Sequence, residues 1–163
     1  MPVLAGAIVL SAFAADSNPD EAFFNAAAES GLSEVTVGKL AQTKSSIGSV
    51  QRFAAMMVAD HGAANEKLQA IATAKGIKLP DELGPKHKAR AELLRQQAGA
   101  DFDRAYIDSE IKDHRDSEAL LQKEIASGKD ADAKEFAADL LPKVQAHLKE
   151  IENIKAGGVD PRS

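Results

Sequence analysis

Apolar residues recur three and four positions apart along most of this chain, the spacing of helices that each bury one stripe. The clearest run is Val50, Ala54, Met57, His61, Ala64, Leu68 and Ile71. A second is Ile107, Ile111, His114, Glu118, Leu121 and Ile125, and a third is Ala133, Ala137, Leu140, Val144, His147, Ile151 and Ile154. An earlier, less sharply drawn stripe places Glu34 between Ala27 and Ala41, with Gly31 and Gly38 on the same face. Punctuation between the runs divides the chain into elements. Asn18-Pro19-Asp20 suits a helix start, Ser45 to Ser49 a short connection, and Gly76 a helix end. Pro80, Gly84 and Pro85 mark a loop over residues 77–85, and Ala98-Gly99 and Gly128 end two further helices.

The pattern therefore predicts long helices over residues 20–44, 49–75, 101–127 and from Asp130 or Asp132 to 155, with a short one over 86–97. Asp101 is the expected cap of the third long helix. No segment alternates with the period of a strand. The expected fold is all-α, a four-helix bundle with a short connecting helix between the second and third long helices. Pro142 lies inside the last helix and is expected to kink it one turn before His147.

Composition supports the helical reading and narrows function. Alanine is abundant, aromatic residues are 4% of the 163-residue chain, and there is no tryptophan. The net charge of −5 is spread without a basic stripe, so nucleic acid is not an expected partner. The lack of cysteine removes thiolate ligands and thiol catalysis. The opening MPVLAGAIVLSAFAA has a short apolar run followed by Ala12-Phe13-Ala14, a small-x-small cleavage pattern. Residues 1–14 read as a signal peptide, although no Lys or Arg precedes the run, and residues 15–163 as one mature domain without a membrane span. Export, to the periplasm or beyond, is the expected destination.

The departures from apolarity carry the chemistry. Each long helix puts a residue of metal-ligand type on its buried stripe: Glu34, His61, His114 and His147, with Glu118 one turn beyond His114. All lie near mid-helix, at depths that differ by about one to two turns. With two of seven heptad positions on a seam, three histidines would all fall there by chance roughly two times in a hundred. Unpaired polar groups are costly in a core, and one cation satisfies several of them together. Imidazole and carboxylate without sulfur suit zinc, iron or manganese, and copper is also compatible. The alternative is a hydrogen-bonded layer in which Glu34 and Glu118 satisfy the histidines without an ion. Asp60 is an expected partner for a neighbouring imidazole or a solvated side chain. Glu110 and Asp113 are expected at the surface, His87 exposed, and Met57 and Tyr106 in the packing.

Phe53-Ala54-x-Met56-Met57 leading to Asp60-His61, Phe102-Asp103-x-x-Tyr106 leading to His114, and Leu141-Pro142-x-x-x-x-His147 resemble the bacterial family called domain of unknown function 4142. Glu34 in Glu-x-x-x-Gly-Lys-Leu-Ala fits the same pattern, and the likeness runs from about residue 22 to 154. It implies a ferritin-like bundle exported to the periplasm or outer envelope, and no settled activity. Ferritin-like di-iron sites use Glu-x-x-His pairs, whereas Val58, Ile111 and Val144 stand three residues before the histidines here. Three functions follow as expectations. The first is an exported divalent-metal-binding protein concerned with metal homeostasis or stress, using Glu34, His61, His114 and His147, with Glu118 as a fifth ligand. The second is a structural or interaction module of the envelope. The third is a metal-dependent oxidase or peroxide-handling enzyme, for which no separate nucleophile or acid–base pair stands out. Ferritin-like folds often assemble, so a homo-oligomer stays open.

Overall fold

A computed structural model describes Asn18 and residues 20–157. The proposed signal peptide lies outside the described residues. Five helices follow in order: α1 (Glu21–Lys44), α2 (Gly48–Ala74), α3 (Pro85–Gln96), α4 (Gly99–Ser127) and α5 (Ala131–Ala156). No strand occurs among the described residues. The predicted element order holds, with boundaries displaced by one or two residues. Two details differ. α4 begins at Gly99, which takes a positive φ of 55°, so Asp101 lies in the first turn and pairs with Arg104 instead of capping. Asp130 caps α5, its Oδ1 accepting from the backbone N–H groups of Asp132 at 3.0 Å and Ala133 at 3.1 Å. α5 continues through the exposed Pro142.

The four long helices form a square: α1 packs on α2 and α4, and α5 packs on α4 and α2. The direction of each helix follows from its end contacts. The end of α2 meets the start of α5 through Lys75–Asp130 at 2.8 Å, and α1 begins beside the α4–α5 turn, where Asp20 accepts from the Lys129 N–H at 2.6 Å. α3 packs on α1 and α4. Gly84 before it lies beside Glu29, Arg90 within it reaches Glu34, and Gln97 after it accepts from Lys44 at 2.6 Å. The segment thus runs alongside α1 and carries the chain the length of the bundle, so α4 starts at the opposite end from where α2 finished.

Two apolar clusters make up the interior. One contains Val37, Ala41, Phe53, Met57, Phe102, Tyr106, Ile107 and Ile151; the other contains Phe23, Phe24, Leu68, Leu121, Phe136 and Val144. Along each long helix the residue between the two sets is polar: Glu34 on α1, His61 on α2, His114 on α4 and His147 on α5. A polar slab therefore cuts the core across its middle.

Gly31 and Gly38 bring α1 against α2 on either side of Glu34. A Cβ on Gly38 would stand 3.0 Å from Val58 Cγ2 and 3.1 Å from the Ala54 carbonyl oxygen, and the backbone carbonyl has nowhere to go. Gly38→Val is expected to push the helices apart and cost about 1–3 kcal/mol, the usual penalty of overpacking, measured by chemical denaturation.

At the far end of the bundle, Glu124 is buried beside Asp20, whose carboxylate already accepts the Lys129 and Asp130 amides. Burial, reinforced by the charge of Asp20, pushes the Glu124 carboxyl up to about 7. Its native proton is held more tightly than in the unfolded chain, so this group loses stability as pH rises from about 4.5 to about 7. Glu124→Gln is expected to remove that slope and stabilise the protein at pH 8 by roughly 1–2 kcal/mol after solvent screening. Denaturation curves at pH 5 and 8 check it.

Candidate metal centre

Each imidazole reaches the slab because its position continues the apolar stripe of its own helix, Met57–His61–Leu68, Ile111–His114–Leu121 and Val144–His147–Ile151. The three rings stand in a near-equilateral triangle, with centroids 5.7 Å apart for His61–His114, 5.6 Å for His61–His147 and 5.5 Å for His114–His147. They are between 1% and 5% exposed. Phe53 closes one side, its ring 6.2 Å from His114 and 6.5 Å from His147.

Hydrogen bonds fix which nitrogens are free. His147 Nε2 lies 2.9 Å from Asp60 Oδ2, and Lys143 holds the other oxygen of Asp60 at 3.1 Å. A carboxylate only accepts, so Nε2 carries the proton and His147 Nδ1 presents a lone pair. His114 Nδ1 lies 2.9 Å from the Glu110 backbone carbonyl, which likewise only accepts, and this leaves a lone pair on His114 Nε2. Both freed nitrogens, and His61 Nε2 with them, are buried without a hydrogen-bond partner among the described residues. One nitrogen from each ring falls within 4.8 Å of one from each of the others. Three nitrogens bound to one ion at about 2.0–2.1 Å stand about 3.4–3.6 Å from one another. Rings this close reach one ion with sub-ångström adjustments. Burial, then the neighbouring imidazoles, hold His61 neutral down to about pH 4, and burial also lowers His147.

Glu34 and Glu110 face each other beside His114, and these three form a second group whose ligand atoms lie within 4.8 Å of one another. Arg90, reaching in from α3, lies across both carboxylates, with Nη1 3.3 Å from Glu34 Oε1 and Nη2 2.7 Å from Glu110 Oε1, and it also pairs with Asp113. Burial acts to raise the Glu34 carboxyl, but the charge of Arg90 overcomes it and holds Glu34 at about 2. Glu110 goes the other way: burial and the charge of Glu34 push its carboxyl well above the usual carboxylate range. A cavity of about 20 Å³ abuts His61, bordered by Gly31, Asn65, Ser117 and Leu121, with room for about one water.

The structure brings His61, His114, His147 and Glu34 to one layer. It does not bring Glu118 there: that side chain is half-buried, its Oε1 accepting from Gln145 at 2.8 Å and Gln122 at 3.1 Å. Glu110 and Asp113, expected at the surface, are buried, because α3 covers that side of α4 and Arg90 supplies their counter-charge. His87 is half-buried, not exposed. Asp60 is the imidazole partner that its position suggested. Met57 packs in the core, as does Tyr106, stacked on Phe102 with centroids 6.0 Å apart. The buried stripe Asp103, Tyr106, Glu110 and Asp113 does run at helical spacing, and this was the available signal for Glu110. Nothing in the sequence marks Arg90.

A family model described as domain of unknown function (DUF4142) matches residues 9–154. No curated protein and no solved structure matches the chain.

Proposed function

The chain belongs to the DUF4142 family, whose description states no activity, and from the site itself we propose that it is an exported protein that binds one divalent metal ion through His61, His114 and His147. The observation that carries this reading is the convergence of three buried imidazoles, each with a nitrogen that has no hydrogen-bond partner among the described residues and each offering a nitrogen within 4.8 Å of the other two. Leaving three such nitrogens dry and unmet is costly, and an ion meets all of them at once. Asp60 and the Glu110 carbonyl behave as the outer partners that orient metal-ligating histidines. Glu34, ionised beside His114 and His61, supplies negative charge next to the ion. Three imidazoles without sulfur favour zinc or copper over manganese or magnesium, which prefer oxygen. A groove between α2 and α5, lined by Arg52, Phe53, Met56, Glu150 and the edge of His147, offers a route in. No helix among the described residues is long and apolar enough to cross a membrane. The cleavage-like pattern at Ala12–Ala14 supports export.

Elemental analysis of tag-free protein, dialysed in turn against zinc, copper, iron and manganese, tests the reading. One zinc or copper per chain is expected, lost in His61→Ala and His114→Ala. Protein that retains none of the four ions refutes it.

A further inference from the structure

Two groups of metal-ligating side chains stand side by side and share His114: the imidazole triangle, and Glu34 with Glu110. The second group has the marks of a cation position. Its carboxylates are 2% and 0% exposed, one oxygen of each (Oε2) has no partner among the described residues, and all three residues reach within 4.8 Å of one another. What lies against it is a side chain. Arg90 sends its guanidinium in from α3 to touch Glu34, Glu110 and Asp113, with Ser33 Oγ accepting from Nη1 at 3.1 Å and Ser109 bonding Nε. A guanidinium is a permanent planar cation whose fork spans two carboxylates. That fork meets three buried acids on two helices, and a carboxylate buried among them needs positive charge whether or not the chain holds a metal.

We propose that Arg90 takes the place of a second metal ion: the centre accepts one ion at the imidazoles, and the Glu34–Glu110–His114 position binds another only when the guanidinium is removed. The proposal rests on the imidazole site being a metal site. It explains why a bundle with ligands from all four long helices lacks the carboxylate-rich pattern of two-ion centres: one of the two cations is built into the chain.

The test is zinc stoichiometry by equilibrium dialysis and elemental analysis on the full chain, for wild type, Arg90→Met, Arg90→Lys, and Arg90→Met combined with Glu110→Gln, all refolded with zinc present. Expected values are one ion per chain for wild type, two for Arg90→Met, one for Arg90→Lys, and one for the double variant. Two ions in wild type, or one in folded Arg90→Met, overturns the proposal and leaves the imidazole site standing. Arg90→Met that does not fold in zinc also overturns it, since the ion is claimed to substitute for the missing charge. No ion in wild type overturns the imidazole site itself.

Discussion

Zinc at a thousand times its dissociation constant is expected to stabilise the native protein by about 4 kcal/mol, because the assembled triangle exists only in the folded chain. For a bundle of this size that corresponds to a rise in Tm of roughly 10–15 °C. In His61→Ala the rise should vanish while the helical circular dichroism spectrum stays. The pH dependence separates this site from loose surface binding. An ordinary imidazole is mostly protonated below about pH 6.5 and releases its ion. His61 is held neutral to about pH 4, so the zinc-dependent shift should persist near pH 5, where surface histidines no longer contribute. The metal-free protein behaves in the opposite sense. Its unfolded state takes up the His61 proton first, so stability falls as pH drops from 6.5 towards 4, by about 3 kcal/mol at most. Thermal melts with zinc and with chelator, at pH 5 and pH 7.5, read both effects. A melting temperature indifferent to zinc at both would leave the slab as a device that only fixes helix register.

Arg90→Met in chelator is expected to cost about 3–5 kcal/mol, the range seen when one partner of a buried ion pair is deleted and the other stays behind. Here three carboxyl groups lose their shared partner together. Arg90→Lys should recover part of the loss, since a single ammonium cannot reach all three. The difference from wild type should also depend on pH. Glu34 is held at about 2 against 4.5 for a free side chain, so its contribution is complete above pH 4.5 and fades as pH falls towards 2. The gap between wild type and variant should narrow over that same interval. Urea denaturation at pH 7 and pH 3 is the measurement, and a constant gap would show that Arg90 acts through packing alone.

The helices and the three histidines were legible because each imidazole interrupts a regular apolar stripe, a signal internal to one helix. Arg90 was not legible, because what recruits it lies on other elements. Glu110 and Glu118 show the limit most plainly. They sit four residues before and after His114, about 40° to either side of it around the helix at 100° per residue. By periodicity they are equivalent. Their fates differ because α3 covers one side at that level with a guanidinium, whereas the other side faces Gln145 and solvent. Periodicity offers Glu118 and Glu110 two equal angles, and Arg90, twenty residues before Glu110 in sequence, decides which one is buried. The crossover was equally hidden, since the depths of the four polar residues fit either direction of the middle connection. The contacts at the helix ends, Lys75 with Asp130 and Asp20 with Lys129, fix it together with the packing of α3 along α1.

The slab across the core gives the molecule an unusual mechanical character. Its two greasy halves touch along a seam that contributes little cohesion when dry, so the midpoint of each rod, normally the last part of a helix to open, becomes the weak section. Amide protons around residues 61, 114 and 147 should therefore exchange faster in chelator than those nearer Phe24 or Phe102. An ion gripped by three of the four rods works as a rivet, and the same amides should then become the slowest in the molecule.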